Sequence, residues 1–219
     1  STDNFPLACL ISCRASMRRQ YLNALFKYQL SLKITPLDPL FFDPIHWESG
    51  NAVSKFAKDH VRLASSIILA YSVLEELALE LRASSDKPSM INGKWNPLVK
   101  NDLVKRLEAA GVDSSETVLW VQRNKPTRVH TARPPIFSSK TTYSYGSIRD
   151  LKMELVDAIA LASWLRSRVS AHRLPRLANS LSYYDVMNVQ HIARRLLLEV
   201  LGFWRFKQRR RSKLKHTPN

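Results

Sequence analysis

From residue 51 to residue 83 the chain runs without a single glycine or proline. Phe56, Val61, Ala64, Ile67, Tyr71, Leu74, Leu77 and Leu81 recur through it at helical spacing. Apolar residues three and four apart line one side of an α-helix, and a helix that long must bury that side against other elements. The stretch therefore predicts a central helix with partners. Its last turns carry Glu75, Glu76 and Glu80, an acidic end in an otherwise basic chain.

The remaining segments supply the partners. Residues 12–34 predict a helix through Met17, Tyr21, Leu25, Tyr28 and Leu32. Asn96 followed by Pro97 reads as an N-cap and first helical position, opening a helix that runs to about Ala110 and stops at Gly111. Asp113 to Ser115 offers another cap, with a helix expected from there to about Asn124. Helices are expected again at 148–172 and 183–207. Proline-containing loops separate them, at 35–50, 84–95 and 131–147. The resulting expectation is an all-α helical bundle with long proline-containing loops and a basic C-terminal helix and tail. Its expected parts are an N-terminal helix with a Pro- and aromatic-rich loop (1–50), the bundle (51–204) and the tail (205–219).

Lys and Arg number 34 against 18 Asp and Glu, a formal charge of +16. Such an excess attracts polyanions, because neutralising phosphates releases condensed counterions. Nucleic acid, an anionic membrane surface and an acidic protein all satisfy it. Only 5 glycines occur, and no glycine-rich phosphate loop is present. That excludes P-loop and dinucleotide-fold nucleotide sites. The 2 cysteines, Cys9 and Cys13, form neither a disulfide framework nor a zinc set, and reduced thiols fit a cytoplasmic protein. The histidines are scattered, so neither a metal nor a cofactor is expected. No uncharged apolar run reaches membrane-spanning length. The apolar run Leu7–Cys13 follows Asp3 rather than a basic segment, and does not read as a signal peptide.

One short segment carries chemistry. Arg123, Asn124, Lys125, Arg128 and His130 stand within Arg123-Asn-Lys-Pro-Thr-Arg-Val-His130, after the expected short helix. A histidine titrating near neutrality can move protons at physiological pH, and an arginine offers phosphate a forked, permanently charged donor set. Together they suit cleavage of RNA by its own 2′-OH, with the arginine on the phosphorane charge. Asn124 can orient His130 or donate to phosphate.

Arg and His at this spacing, with Asn directly after the Arg, resemble the signature of the HEPN superfamily of helical-bundle ribonucleases. The likeness in helix order covers roughly residues 50–172. It implies a metal-independent endoribonuclease leaving 2′,3′-cyclic phosphate ends, of the kind found in toxin–antitoxin and antiviral systems. It implies Arg123, Asn124 and His130 as catalytic residues, with Glu75, Glu76 or Glu80 as acidic support. It implies RNA as substrate, a homodimer whose two motifs build one composite cleft, and an antitoxin or a larger defence complex as a further partner. Lys125 and Arg128, and Arg209, Arg210 and Arg211 of the tail, are the expected RNA-binding cations. Tyr143 and Tyr145 are placed to stack bases or to pack on the bundle.

Other matches to the spacing exist. Arg166 precedes His172 by a permitted gap, but no acidic helix comes directly before it in the sequence. The tail arginines reach His216 in the same way, within a segment read as disordered. Two other functions remain open at this level: a non-catalytic HEPN-like module that binds RNA or a protein, and a helical DNA-binding protein.

Overall fold

The computed structural model describes residues 5–35, 57–121, 151–170 and 181–204. Among these the chain is mostly helical, with two small strand pairs. The helices are α1 (Phe5–Ser16), α2 (Arg19–Ile34), α3 (Ala57–Glu76), α4 (Pro97–Ala109), α5 (Leu155–Trp164) and α6 (Tyr183–Val200). A π-helical turn, Leu165–Ser170, continues α5. The strands are β1 (Met90–Ile91), β2 (Lys94–Trp95), β3 (Thr117–Trp120) and β4 (Leu151–Glu154).

The central helix is α3. It packs along α2 on one side and against α6 and the π-turn on others. Ile67, Leu74, Ile159, Leu161, Leu165 and Leu196 are fully buried where these elements meet. A polar network ties the same three helices together. Ser31 Oγ of α2 donates to Ser66 O of α3 at 2.9 Å. Ser66 Oγ returns a bond to Ser31 O at 2.9 Å. Gln190 Nε2 of α6 donates to Thr35 O at 2.9 Å and shares Ser31 Oγ at 3.0 Å. Buried polar groups are tolerated when they bond to one another, and such a network fixes the register of the packed helices.

Several boundaries differ from expectation. The predicted helix 12–34 is two helices, broken at Met17 and Arg18, and the apolar run Leu7–Cys13 is helical. The helix expected over 51–83 ends at Glu76. Leu79 N bonds back to Leu74 O at 2.8 Å and Ala78 N to Glu75 O at 3.1 Å, with Ala78 at φ 56. This is a Schellman stop made with alanine where glycine is the usual residue. The expected loop 84–95 contains the β1–β2 hairpin, turning on Asn92 and Gly93 at φ 49 and 76. Asn-Gly is the sequence that a two-residue hairpin with left-handed turn residues requires. The cap at Asn96 stands as predicted: its side chain accepts from Leu98 N at 3.1 Å, with Pro97 opening α4.

Two expected helices start with strands. After Asp113, whose carboxylate takes Ser115 N at 3.0 Å, the chain extends into β3 instead of coiling. The expected helix at 148–172 begins as β4, becomes α5 at Leu155 and turns π-helical at Leu165. β3 and β4 pair antiparallel, with Thr117 opposite Glu154 and Trp120 opposite Leu151. Each strand offers backbone groups that the other needs, and this long-range partner overrides local helix preference. Among the described residues the fold is thus mostly helical, with two small strand pairs added to the expected helices. Finally, α6 stops at Val200 rather than continuing to Lys207, with Gly202 at φ 79. A Cβ on Gly202 would stand 2.7 Å from Arg14 Nη1. The glycine lets Arg14 reach Leu201 O at 2.9 Å and lie over the Phe203 ring.

α6 opens on a capping box, in which Ser182 and Asp185 satisfy each other's backbone N–H groups. Further along, Asn188 Oδ1 accepts from Val121 N and Asn188 Nδ2 donates to Val121 O, both at 2.9 Å. This side chain acts as a strand partner for the residue that leaves β3. Arg195 of α6 pairs with Glu116 ahead of β3 and lies over the Trp204 ring.

Candidate functional site

The described residues contain an open polar cleft of about 820 Å³ between the end of α3, the loop that follows it, and the α5–π-turn junction. Tyr71, Glu75 and Glu80 line it from one side; Ser163, Trp164, Arg166 and Ser167 line it from the other. Tyr71 and Glu75 share a helix face because they are one turn apart. Ser163, Arg166 and Ser167 stand three and four residues apart, on one side of the segment.

Glu75 Oε1 and Arg166 Nη2 stand 3.1 Å apart across the cleft. Their side chains are 35% and 40% exposed, so the pair can exchange one partner for a ligand without a full desolvation cost. Arg166 Nε is buried and makes no hydrogen bond. The π-turn carries Arg166, and π-helical turns within α-helices often mark functional positions.

The Schellman stop at Ala78 sends the chain back across the helix end and brings Glu80 to the cleft. Glu80 Oε1 accepts from Arg82 Nε at 2.6 Å, while its buried Oε2 makes no hydrogen bond. Arg106 of α4 holds this turn in place, donating to Ala78 O at 2.6 Å and to Glu80 O at 2.9 Å. Tyr71 OH accepts from Leu81 N at 3.0 Å. Burial pushes the Tyr71 hydroxyl above its ordinary pKa, against the hydrogen bond with Ser163, so it stays protonated and keeps its donor.

The three acidic residues singled out in the sequence separate here. Glu75 and Glu80 face the cleft. Glu76 does not: it accepts from Lys27 Nζ at 2.6 Å and ties α3 to α2. Arg166 lacks an acidic helix just before it in the sequence, yet α3 supplies Glu75 in space. In space, then, Arg166 has an acidic helix end beside it. Its spacing partner His172 lies outside the described residues, as do Arg123, Asn124, Lys125, Arg128, His130, Tyr143, Tyr145, Arg209, Arg210 and Arg211.

The frame from which Arg123 departs is described. Val121 is clamped by Asn188 two residues before it. Trp120 pairs with Leu151, so the chain leaves and re-enters the frame at neighbouring strand positions. Among the described residues no three His, Cys, Asp or Glu side chains gather into a cluster. No described helix is long and apolar enough to cross a membrane. Comparison of the chain with models of known families, with curated proteins and with solved structures gives no match.

Proposed function

We propose that this chain is a metal-independent endoribonuclease of the HEPN type. The observation that carries the reading is the Glu75–Arg166 pair at the acidic end of the central helix, open to solvent in a basic protein. A carboxylate, a half-exposed guanidinium and a neutral tyrosine hydroxyl are groups that can position a phosphodiester and its neighbouring sugar. Charge supports the choice of substrate class. Residues 205–215 hold seven cations and no acid, and residues 122–150 hold six cations and one acid. Most of the +16 therefore belongs to two stretches, one of which contains Arg123 and His130.

In this reading His130 takes the 2′-OH proton or protonates the 5′-oxygen, and Arg123 stabilises the phosphorane oxygens. Asn124 orients His130. Arg166 holds a flanking phosphate and Glu75 keeps that guanidinium in place. Two copies would bring two such motifs together in one composite cleft in the cytoplasm. The test is cleavage of labelled single-stranded RNA and tRNA in EDTA. Wild type is expected to leave 2′,3′-cyclic phosphate ends, and His130→Ala to lose cleavage while keeping RNA binding. Equal activity in both proteins would remove His130 from the mechanism. RNA binding with no cleavage by either would favour the non-catalytic HEPN-like module.

A further inference from the structure

We propose that α1 is a docking element for an anionic lipid surface. Between Asp3 and Asp38 the sequence holds no acidic residue, while Arg14, Arg18, Arg19, Lys27 and Lys33 all fall there. Every described side chain from Pro6 to Leu10 is exposed, with Leu7 at 45% and Leu10 at 56%. Successive residues of an α-helix point about 100° apart, so five consecutive exposed positions span the whole circumference. A partner helix or groove covers one face. A surrounding apolar medium covers all of them, and that distinguishes lipid from a protein partner here.

The opposite end of α1 is fixed. Ala15 is fully buried, and Arg14 is tied to Leu201 O and the Phe203 ring. The apolar turns are thus presented on a held base. Arg18 and Arg19 are exposed just beyond it, at the height where lipid phosphates would stand. On α2, Phe26 (57%) and Leu30 (47%) are exposed as well, followed by the exposed Lys33. α1 has 12 residues, so it is about 18 Å long. A bilayer core is about 30 Å thick, so α1 enters one leaflet from its held base and does not span the membrane. A second copy fits less well, since a partner chain would cover one face of α1 and leave the others in water. Nucleic acid would meet the arginines but leave Leu7 and Leu10 in water.

The chain's two cysteines are both on α1 and both exposed, which gives a direct readout. An environment-sensitive fluorophore on Cys9 of a Cys13→Ser protein is mixed with vesicles of phosphatidylcholine, with and without phosphatidylserine. Anionic vesicles are expected to brighten and blue-shift the dye, and spin-labelled lipid to quench it. Leu7→Asp with Leu10→Asp is expected to weaken vesicle affinity by on the order of 100-fold, from two lost leucine burials. Arg18→Gln with Arg19→Gln is expected to remove the preference for phosphatidylserine while leaving residual binding. The proposal is overturned by an unchanged dye, or by a dye response that both leucine substitutions leave intact. An equal response to RNA or heparin overturns it in favour of charge alone. A wild-type mass of two chains that the leucine substitutions reduce to one overturns it in favour of a second copy.

Discussion

Ser66 and Glu75 sit on one helix and meet opposite surroundings. Around Ser66, polar groups of α2, α3 and α6 bond mainly to one another, sealed from water. Around Glu75, the ion-pair partners are half-exposed; buried atoms without a hydrogen bond occur in both regions, Gln190 Oε1 and Thr35 Oγ1 in the first, Arg166 Nε and Glu80 Oε2 in the second. What differs is access to water: a half-exposed charged pair at a cleft can meet a ligand, whereas a sealed network cannot. The contrast separates the scaffold from the candidate site without any appeal to a relative.

The largest expected effect lies on the scaffold side. Gln190→Ala should destabilise the fold by about 3 kcal/mol in urea unfolding, because buried acceptors on two helices lose their donor. Asn188→Ala, which strips both backbone groups of Val121, should cost about 2 kcal/mol. Arg166→Ala should behave in the reverse way. Its ion pair is well solvated, so stability should change by less than about 1 kcal/mol, while RNA cleavage falls at least about tenfold. A large stability loss with unchanged cleavage would merge the two regions and end the distinction.

Two smaller effects sharpen it. Ala78→Gly should stabilise the protein by about 0.5–1 kcal/mol, seen as a raised thermal midpoint, because glycine accepts the left-handed stop without strain. His60, on α3, has its pKa lowered by burial. The unfolded chain then binds more protons than the folded one below about pH 6.5, so stability should decline as pH drops through that range. His60→Gln should flatten this dependence in unfolding curves taken at successive pH values.

Much of the helical frame was legible because its signals are local. The apolar stripe of α3, the Asn96–Pro97 start and the Gly111 stop are each written within a few residues. The β3–β4 pair was not legible, since Thr117 and Glu154 become partners only when distant chain segments meet. The Asn92–Gly93 hairpin was legible, and its signal went unused. At the cleft, Glu75 and Glu80 were named, but Tyr71, Ser163 and Trp164 were not. Arg166 matches the Arg–His spacing, but its acidic neighbour Glu75 is distant in the chain and meets it only in the fold.

The pairing of Trp120 with Leu151 has a consequence for how this chain can be altered. Because Trp120 and Leu151 are strand partners, a segment joining them has to bridge only about 5 Å, one strand spacing. Replacing residues 122–150 with a short turn should leave a folded scaffold stripped of Arg123 and His130. New chain ends introduced there should stay side by side after a cut. In engineering terms, Trp120 and Leu151 are a socket whose two contacts stand side by side.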